Sequence, residues 1–446
     1  MKRVVIIGAG ATGLVAALLL RDAGLEVTLV EASPRAGGLL ATFEAAPGVH
    51  LEHFYHHVFT HDAEVRWLLG RVGLAEALTF APSTMGLYRE GQLYPFDGPL
   101  DLLRFDALSL VDRVRFLVSS ALLVAVPGYA RAEQTPALAW LRRTAGRAAT
   151  DAIWRPLMVS KFGDVAEQVP LAWMAGRLRQ RARSREATGE RLGYLQGSLQ
   201  CLVDALVDHL QAAGVTLHLG TPVTQLRTAE GRVQGIETAT GAIHADAVLA
   251  TLPTPLLADL VAPEAPAYAD ALRQVDYLGA LCTVLALDAP LSPVYWLNVA
   301  DPGYSFGGVI EQTHLVPASH YGGRHLVYLS RYLPVTHPLW TLADDALLDQ
   351  QQQELARLFG RPVRPQQRWV FRGRYAAPAP TIGFPRHIPA FRSPVRGLFV
   401  AAMPHVYPDE RSVNNSVRVA AEAVSAMGVD TAQVPQGASL AGRYGR

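Results

Sequence analysis

The chain has 446 residues, 40 basic against 39 acidic, for a formal net charge of +1, which excludes the basic footprint of a nucleic-acid binder. Hydrophobic residues make up 50% and charged residues 18%, so a large core is expected and general disorder is not. Two cysteines, Cys201 and Cys282, exclude a disulfide framework or an ordinary thiolate metal site and fit a reducing, cytoplasmic setting.

Arg3 to Ile7 is a short β-branched run that reads as a buried parallel strand. It leads straight into Gly8-Ala9-Gly10-Ala11-Thr12-Gly13, so no export leader is expected. Leu14 to Asp22 favours a helix, Gly24 ends it, and Glu26 to Val30 forms a second strand closing at Glu31. Strand, glycine turn, helix, strand and acidic residue fall in the order a dinucleotide site requires. Gly8 permits the tight turn, Gly10 lets backbone approach a pyrophosphate, and Gly13 lets helix and strand pack closely. Ala11 and Thr12 present amides at the helix start, and Glu31 is placed to accept from an adenosine ribose. NAD and FAD both contain ADP, so these residues leave that choice open.

The next stretch is Glu31-Ala32-Ser33-Pro34-Arg35-Ala36-Gly37-Gly38-Leu39-Leu40-Ala41-Thr42. It resembles the E-x-x-x-R-x-G-G-x-x-x-T stretch of the FAD-dependent amine oxidase, protoporphyrinogen oxidase and phytoene desaturase superfamily. The resemblance implies an α/β fold, with a Rossmann-like FAD-binding domain of the GR2 type interleaved with an α+β substrate domain. It implies FAD, with Ala32, Arg35, Gly37, Gly38 and Leu39 along the cofactor; Cys201 and Cys282 lie outside the C-terminal flavin segment, so the FAD is expected to be noncovalent. A fixed cation offsets a diphosphate, and glycines let the chain run beside it.

Further along, Leu217 to Leu226 resembles the family strand whose valine, here Val223, meets adenine. The hairpin pattern from Gly231 onward ends in Ala247 to Pro253, which implies that Thr251 lies near the cofactor. Arg396 to Met403 and the helix Asn414 to Met427 resemble the C-terminal flavin segment, implying contacts from Met403, Asn415, Ser416 and Val417. Where the family commonly has Gly-Asp this chain has Ala402-Met403, and Asp409, Glu410 or the Asn414-Asn415 pair are the candidates to replace the lost carboxylate.

Three cofactor segments separated by inserts place the FAD domain at 1–75, 195–260 and 390–430. The substrate domain falls at 76–194 and 261–389, and 431–446 reads as a loose tail. The first insert reads as mostly helical. The second, with alternation at Ala280 to Leu287 and His325 to Leu333, reads as antiparallel sheet. The apolar run Phe116 to Val126 is too short to span a bilayer and reads as a buried helix; a peripheral membrane contact is the minority reading and is not expected.

Flavin performs the redox step, and protein side chains handle protons and orientation. His53, Tyr55, His56 and His57 follow the paired glycines, where the family approaches the flavin's reactive face, and are candidate catalytic groups with Arg411. A metal reading of the histidines matches no known ligand spacing and is rejected. The basic residues comprise 38 arginines and two lysines, Lys2 and Lys161. Lys161 is therefore singled out as a compact ammonium with a tunable pKa.

No second glycine fingerprint opens a strand–helix unit, so electrons from a small-molecule substrate are expected to leave to oxygen or a quinone. The leading reading is hydride transfer from a C–N or C–C bond to flavin N5. The alternative is a non-redox flavin enzyme of the UDP-galactopyranose mutase type, whose nucleotide-sugar diphosphate could meet the alternating Arg177, Arg179, Arg181, Arg183 and Arg185. Substrate identity and oligomeric state are not encoded in any motif here.

Overall fold

The computed structural model describes residues 1–125, 129–186 and 189–435. Val126, at the end of the apolar run, and 436–446 of the expected tail lie outside the described residues.

A five-stranded parallel sheet gathers Arg3–Ile7, Glu26–Val30, Thr216–His218, Ala247–Ala250 and Leu398–Val400 from three distant stretches of chain. Arg3–Ile7 is central, with Glu26–Val30 and then Thr216–His218 on one side, and Ala247–Ala250 and then Leu398–Val400 on the other. The period-2 alternation of a strand explains why both faces are covered. Val4 and Ile6 point into one core with helices Ala11–Asp22 and Val413–Ala426, while Val5 and Ile7 point into another with Leu257, Val261 and Leu272. Helix Ala11–Asp22 is buried continuously from Gly13 to Leu20, which its unbroken Leu and Ala composition predicts.

A seven-stranded sheet forms the second layer. Its order is Gln367–Pro378, Tyr277–Leu287, His325–Leu333, Gly308–Glu311, Trp296–Val299, Met85–Arg89 and Gln92–Pro95. The two alternating stretches read from sequence are direct partners in it, Ala280 opposite Tyr332 and Leu287 opposite His325. The first insert is largely helical, yet it also gives two strands to this sheet, of which Met85–Arg89 runs parallel to Trp296–Val299. That pairing crosses about two hundred residues of chain and carries no local signature.

The apolar run departs from expectation. Its helix, Leu110–Ala125, buries only Phe116, Ser119 and Leu123 and leaves its other apolar positions largely exposed. The buried line follows i, i+3, i+7 spacing, and apolar residues occupy the outer line as well. Composition alone cannot tell which face of a mostly apolar helix finds a neighbour.

Candidate functional site

The parallel strands all end on one side of the sheet, where doubly wound folds present a ligand crevice. A cavity of about 740 Å3 lies there. At its glycine-turn end it is lined by Gly8, Gly10, Ala11, Thr12, Glu31 and Ala32. Gly37, Gly38 and Leu39 line it from the next stretch, Val223 and Thr251 from mid-chain, and Met403 and Ser416 from the C-terminal segment. Of the candidate catalytic residues, His56 and Arg411 line it.

The glycines are required by contact. A Cβ at Gly13 would sit 1.9 Å from the Gly8 carbonyl oxygen, so Gly13 stays outside the cavity and lets the helix seat on the turn. Thr251 Oγ1 lies 3.0 Å from both the Ile7 and Gly8 carbonyls, tying the neighbouring strand to the same turn. Gly37 donates its N–H to Ala9 O at 2.8 Å, which clips the paired glycines onto the first turn. A Cβ at Gly10 would meet nothing within 4 Å, so the space in front of the turn is open to a bound group. Glu31 accepts from the N–H groups of Ala9 and Ser33, each at 2.8 Å. It therefore braces two turns while lining the cavity. Open glycine faces, a helix start and an acid at the strand end fit the ADP half of a dinucleotide.

Other predicted cofactor residues are not on the lining. Arg35 is exposed. Val417 packs in the core with no exposure. Asn415 donates its side-chain amide to Glu410 O at 2.6 Å, and Asn414 accepts from Val65 N at 3.0 Å. Asp409 lies 3.9 Å from Arg418, and Glu410 is bound by Lys161 and Arg177. The four candidates for the missing carboxylate thus all hold structure together. In their place the cavity meets Ser412, Val413 and Ser416 at the start of helix Val413–Ala426, where Ser412 caps the helix by accepting from Asn415 N at 3.1 Å. A helix N-terminus offers partial positive charge to an electron-rich group.

At the other end, His56 Nδ1 lies 2.7 Å from the Phe54 carbonyl. The ring nitrogen must donate there, leaving Nε2 as the free acceptor. Burial, with a smaller contribution from Arg411, pulls His56 down to about 4. Arg411 sits over the Tyr332 ring at 4.9 Å and is held below its ordinary pKa by burial. The sequence reading missed Tyr277, Gly373, Arg374 and Tyr375, which also line this end. They lie on strands, where only the sheet's pairing shows which residues meet the cavity.

The remaining candidates stand off the cavity. His53 stacks on Phe371 with centroids 4.2 Å apart, and Tyr55 meets Trp296 edge-on at 4.8 Å. Burial raises the Tyr55 pKa. His57 packs edge-on against Phe59 at 5.0 Å, and burial followed by Arg181 and Arg177 holds it well below its ordinary value. Lys161 Nζ donates to both oxygens of Glu410 at 2.9 Å, and Arg177 joins the same carboxylate at 3.3 Å. Burial pulls the Lys161 ammonium down to about 7 against the opposing pull of Glu410. Burial would raise the Glu410 pKa, but Arg177 and Lys161 outweigh it and the carboxyl is held below its ordinary value.

Four members of the arginine row lie on helix Leu171–Arg183 and Arg185 lies on the short strand that follows, so the row does not form a single face. Arg177 and Arg181, one turn apart, pair with Glu410 and Glu190, the latter at 2.6 Å. No group of three or more metal-ligating side chains that could hold an ion occurs among the described residues.

The profile of the family described as flavin containing amine oxidoreductase matches residues 11–406. The chain belongs to that family. A probable zeta-carotene desaturase from Synechococcus elongatus is 27% identical over 268 residues, covering 55% of this chain and 56% of the desaturase. The mitochondrial protoporphyrinogen oxidase of Nicotiana tabacum is 34% identical over 125 residues, 27% of this chain and 24% of the oxidase. The match therefore takes in about half the length of the first relative and about a quarter of the second. An oxidoreductase from Methanosarcina mazei superposes with a TM-score of 0.72 at 20% identity, over 96% of this chain and all of the other. Reduced UDP-galactopyranose mutase superposes with a TM-score of 0.75 at 16% identity, over 98% and 97% of the two chains. These likenesses establish the α/β FAD-binding fold of the flavin-containing amine oxidoreductases. No helix among the described residues is long and apolar enough to cross a membrane.

Proposed function

We propose that this flavin-containing amine oxidoreductase holds FAD noncovalently in the cavity and oxidises a C–N or C–C bond of a small-molecule substrate at the His56 end. The carrying observation is that one cavity is lined both by the glycine turn with Glu31 and by His56 with Arg411. Bound flavin supplies a two-electron acceptor at N5. Gly8, Gly10 and the first amides of helix Ala11–Asp22 bind the pyrophosphate, and Glu31 the adenosine ribose. Thr251 and Val223 shape the walls, while Ser416 and the start of helix Val413–Ala426 would meet the flavin end.

His56 acts as the acceptor for a substrate proton. Its tautomer is set by the Phe54 carbonyl, and it is neutral at physiological pH, with Nε2 bare. Arg411 offsets negative charge beside it. Lys161 works as a positioning residue: with Arg177 it grips Glu410, next in sequence to Arg411, and so fixes the guanidinium. Turnover would need an external electron acceptor, for which oxygen or a quinone would serve. Neither cysteine lines the cavity, which supports noncovalent attachment.

Purified protein should be yellow and should release free FAD on denaturation. Pigment retained on the chain would overturn noncovalent binding. Anaerobic titration with amines, L-amino acids, porphyrinogens and polyenes tests the reaction: bleaching by one class supports oxidation. Turnover of UDP-galactopyranose only after dithionite reduction would replace this reading with the non-redox one.

A further inference from the structure

The chain's exposed large apolar side chains are concentrated in one place. Leu100, Leu103, Leu110, Val111, Val114, Val118, Leu122 and Val124 are all 37% to 68% exposed, and all fall within the two consecutive helices Pro99–Arg104 and Leu110–Ala125. On the second helix, Leu110, Val114, Val118 and Leu122 repeat every four residues, which places them along one face. The opposite face packs inward through Phe116 and Leu123. Its Ser119 hydroxyl is buried and lies 2.9 Å from Thr144 Oγ1. The helix therefore turns a serine in and valines out, the reverse of a water-facing helix in a globular protein. Single exposed leucines need no explanation, but a contiguous stripe of this length does.

Arginines punctuate the stripe. Arg104 follows Leu100 by four residues and Arg115 follows Val111 by four, so each shares a face with its apolar partner. Both are exposed, and among the described residues neither is in an ion pair, although Arg115 donates to the Arg143 carbonyl at 3.4 Å; Arg143 and Arg147, close by in the first insert, are likewise exposed and in no ion pair. An apolar face with unneutralised guanidinium groups set into it matches a layer with acyl chains below and anionic headgroups above.

We propose that this face docks the protein on an anionic lipid surface, with Leu110, Val114, Val118 and Leu122 in the acyl boundary and Arg104 and Arg115 at the headgroups. The helix lies in the plane of the interface and does not cross it. A second copy of the chain is the competing occupant, and the vesicle-free measurement below separates it from the lipid.

The test is cosedimentation of the flavin-loaded protein with phosphatidylcholine vesicles, with and without phosphatidylglycerol. The native chain should pellet with the anionic vesicles and much less with the neutral ones. The variant Val114→Gln/Val118→Gln/Leu122→Gln should lose about tenfold or more in partitioning while keeping its flavin content and melting temperature, because glutamine suits an exposed helix and removes only the apolar stripe. Arg104→Glu/Arg115→Glu should abolish the preference for anionic vesicles. Equal pelleting of native and glutamine-substituted protein would overturn the proposal, as would a native protein that ignores vesicles. So would a native dimer that the glutamine substitutions split in the absence of vesicles.

Discussion

At the glycine-turn end of the cavity the working groups are backbone amides, missing side chains and one carboxylate, all drawn from residues 8–38. At the His56 end they are side chains from residues 56, 374 and 411, backed by a partly buried cluster of residues 161, 177 and 410. The first end recognises a group of fixed chemistry, so its geometry is compact, local and intolerant. The second end, where the proposed function puts the substrate, has parts brought together only by long-range packing. A change at the first end should remove cofactor and fold together, whereas a change at the second should spare the cofactor and alter chemistry.

The largest expected effect is at Gly13. Gly13→Ala forces a Cβ to within 1.9 Å of the Gly8 carbonyl, and backbone must move. A destabilisation of about 3 kcal/mol or more follows, together with loss of flavin, read as a lower melting temperature and a lower flavin-to-protein absorbance ratio. A variant that keeps both would break the comparison.

Next is Glu410→Gln, which leaves Lys161 and Arg177 crowded around a neutral amide. The cluster is partly exposed, so the loss of stability falls below the roughly 3 kcal/mol of a fully buried ion pair. Because Glu410 raises the Lys161 pKa, its loss should drive that pKa further down. Flavin should remain bound while its rate of reduction falls, measured by stopped-flow absorbance. Loss of flavin in parallel with activity would show that the two ends are not separable.

The smallest effect is a pH dependence. The His56 pKa is about 4 in the folded state against about 6.5 in an unfolded chain. Between these values the unfolded chain binds more protons, so stability is fully present above about pH 6.5 and is lost as pH falls toward about 4. His56→Gln should flatten that acid limb in a melting-temperature series and lower turnover by about a hundredfold with flavin retained. An unchanged acid limb would place the titrating group elsewhere.

What could be read in the sequence follows the same division. Gly8, Gly10, Glu31, Gly37 and Gly38 were legible because a dinucleotide turn needs those residue types at fixed short spacings. His56 and Arg411 were legible as chemistry, but His53, Tyr55 and His57 were indistinguishable from His56. All four sit in one short run, and only packing against Phe371, Trp296 and Phe59 turns three of them away from the cavity. Arg374 and Tyr375 carried no signal, since a strand residue reaches a site by virtue of the sheet's register.

The local order of strand, glycine turn, helix and acid was determined by the amino-acid sequence itself, because backbone conformation and steric fit act over a few residues. So was the family, through that turn and the paired glycines after it. The tertiary structure alone decided which polar groups are spent on structure, which of the apolar helix's faces stays open, and how Lys161, Arg177 and Glu410 meet. Those outcomes depend on contacts between residues hundreds of positions apart, where burial and pairing, rather than spacing along the chain, set each side chain's charge and neighbours.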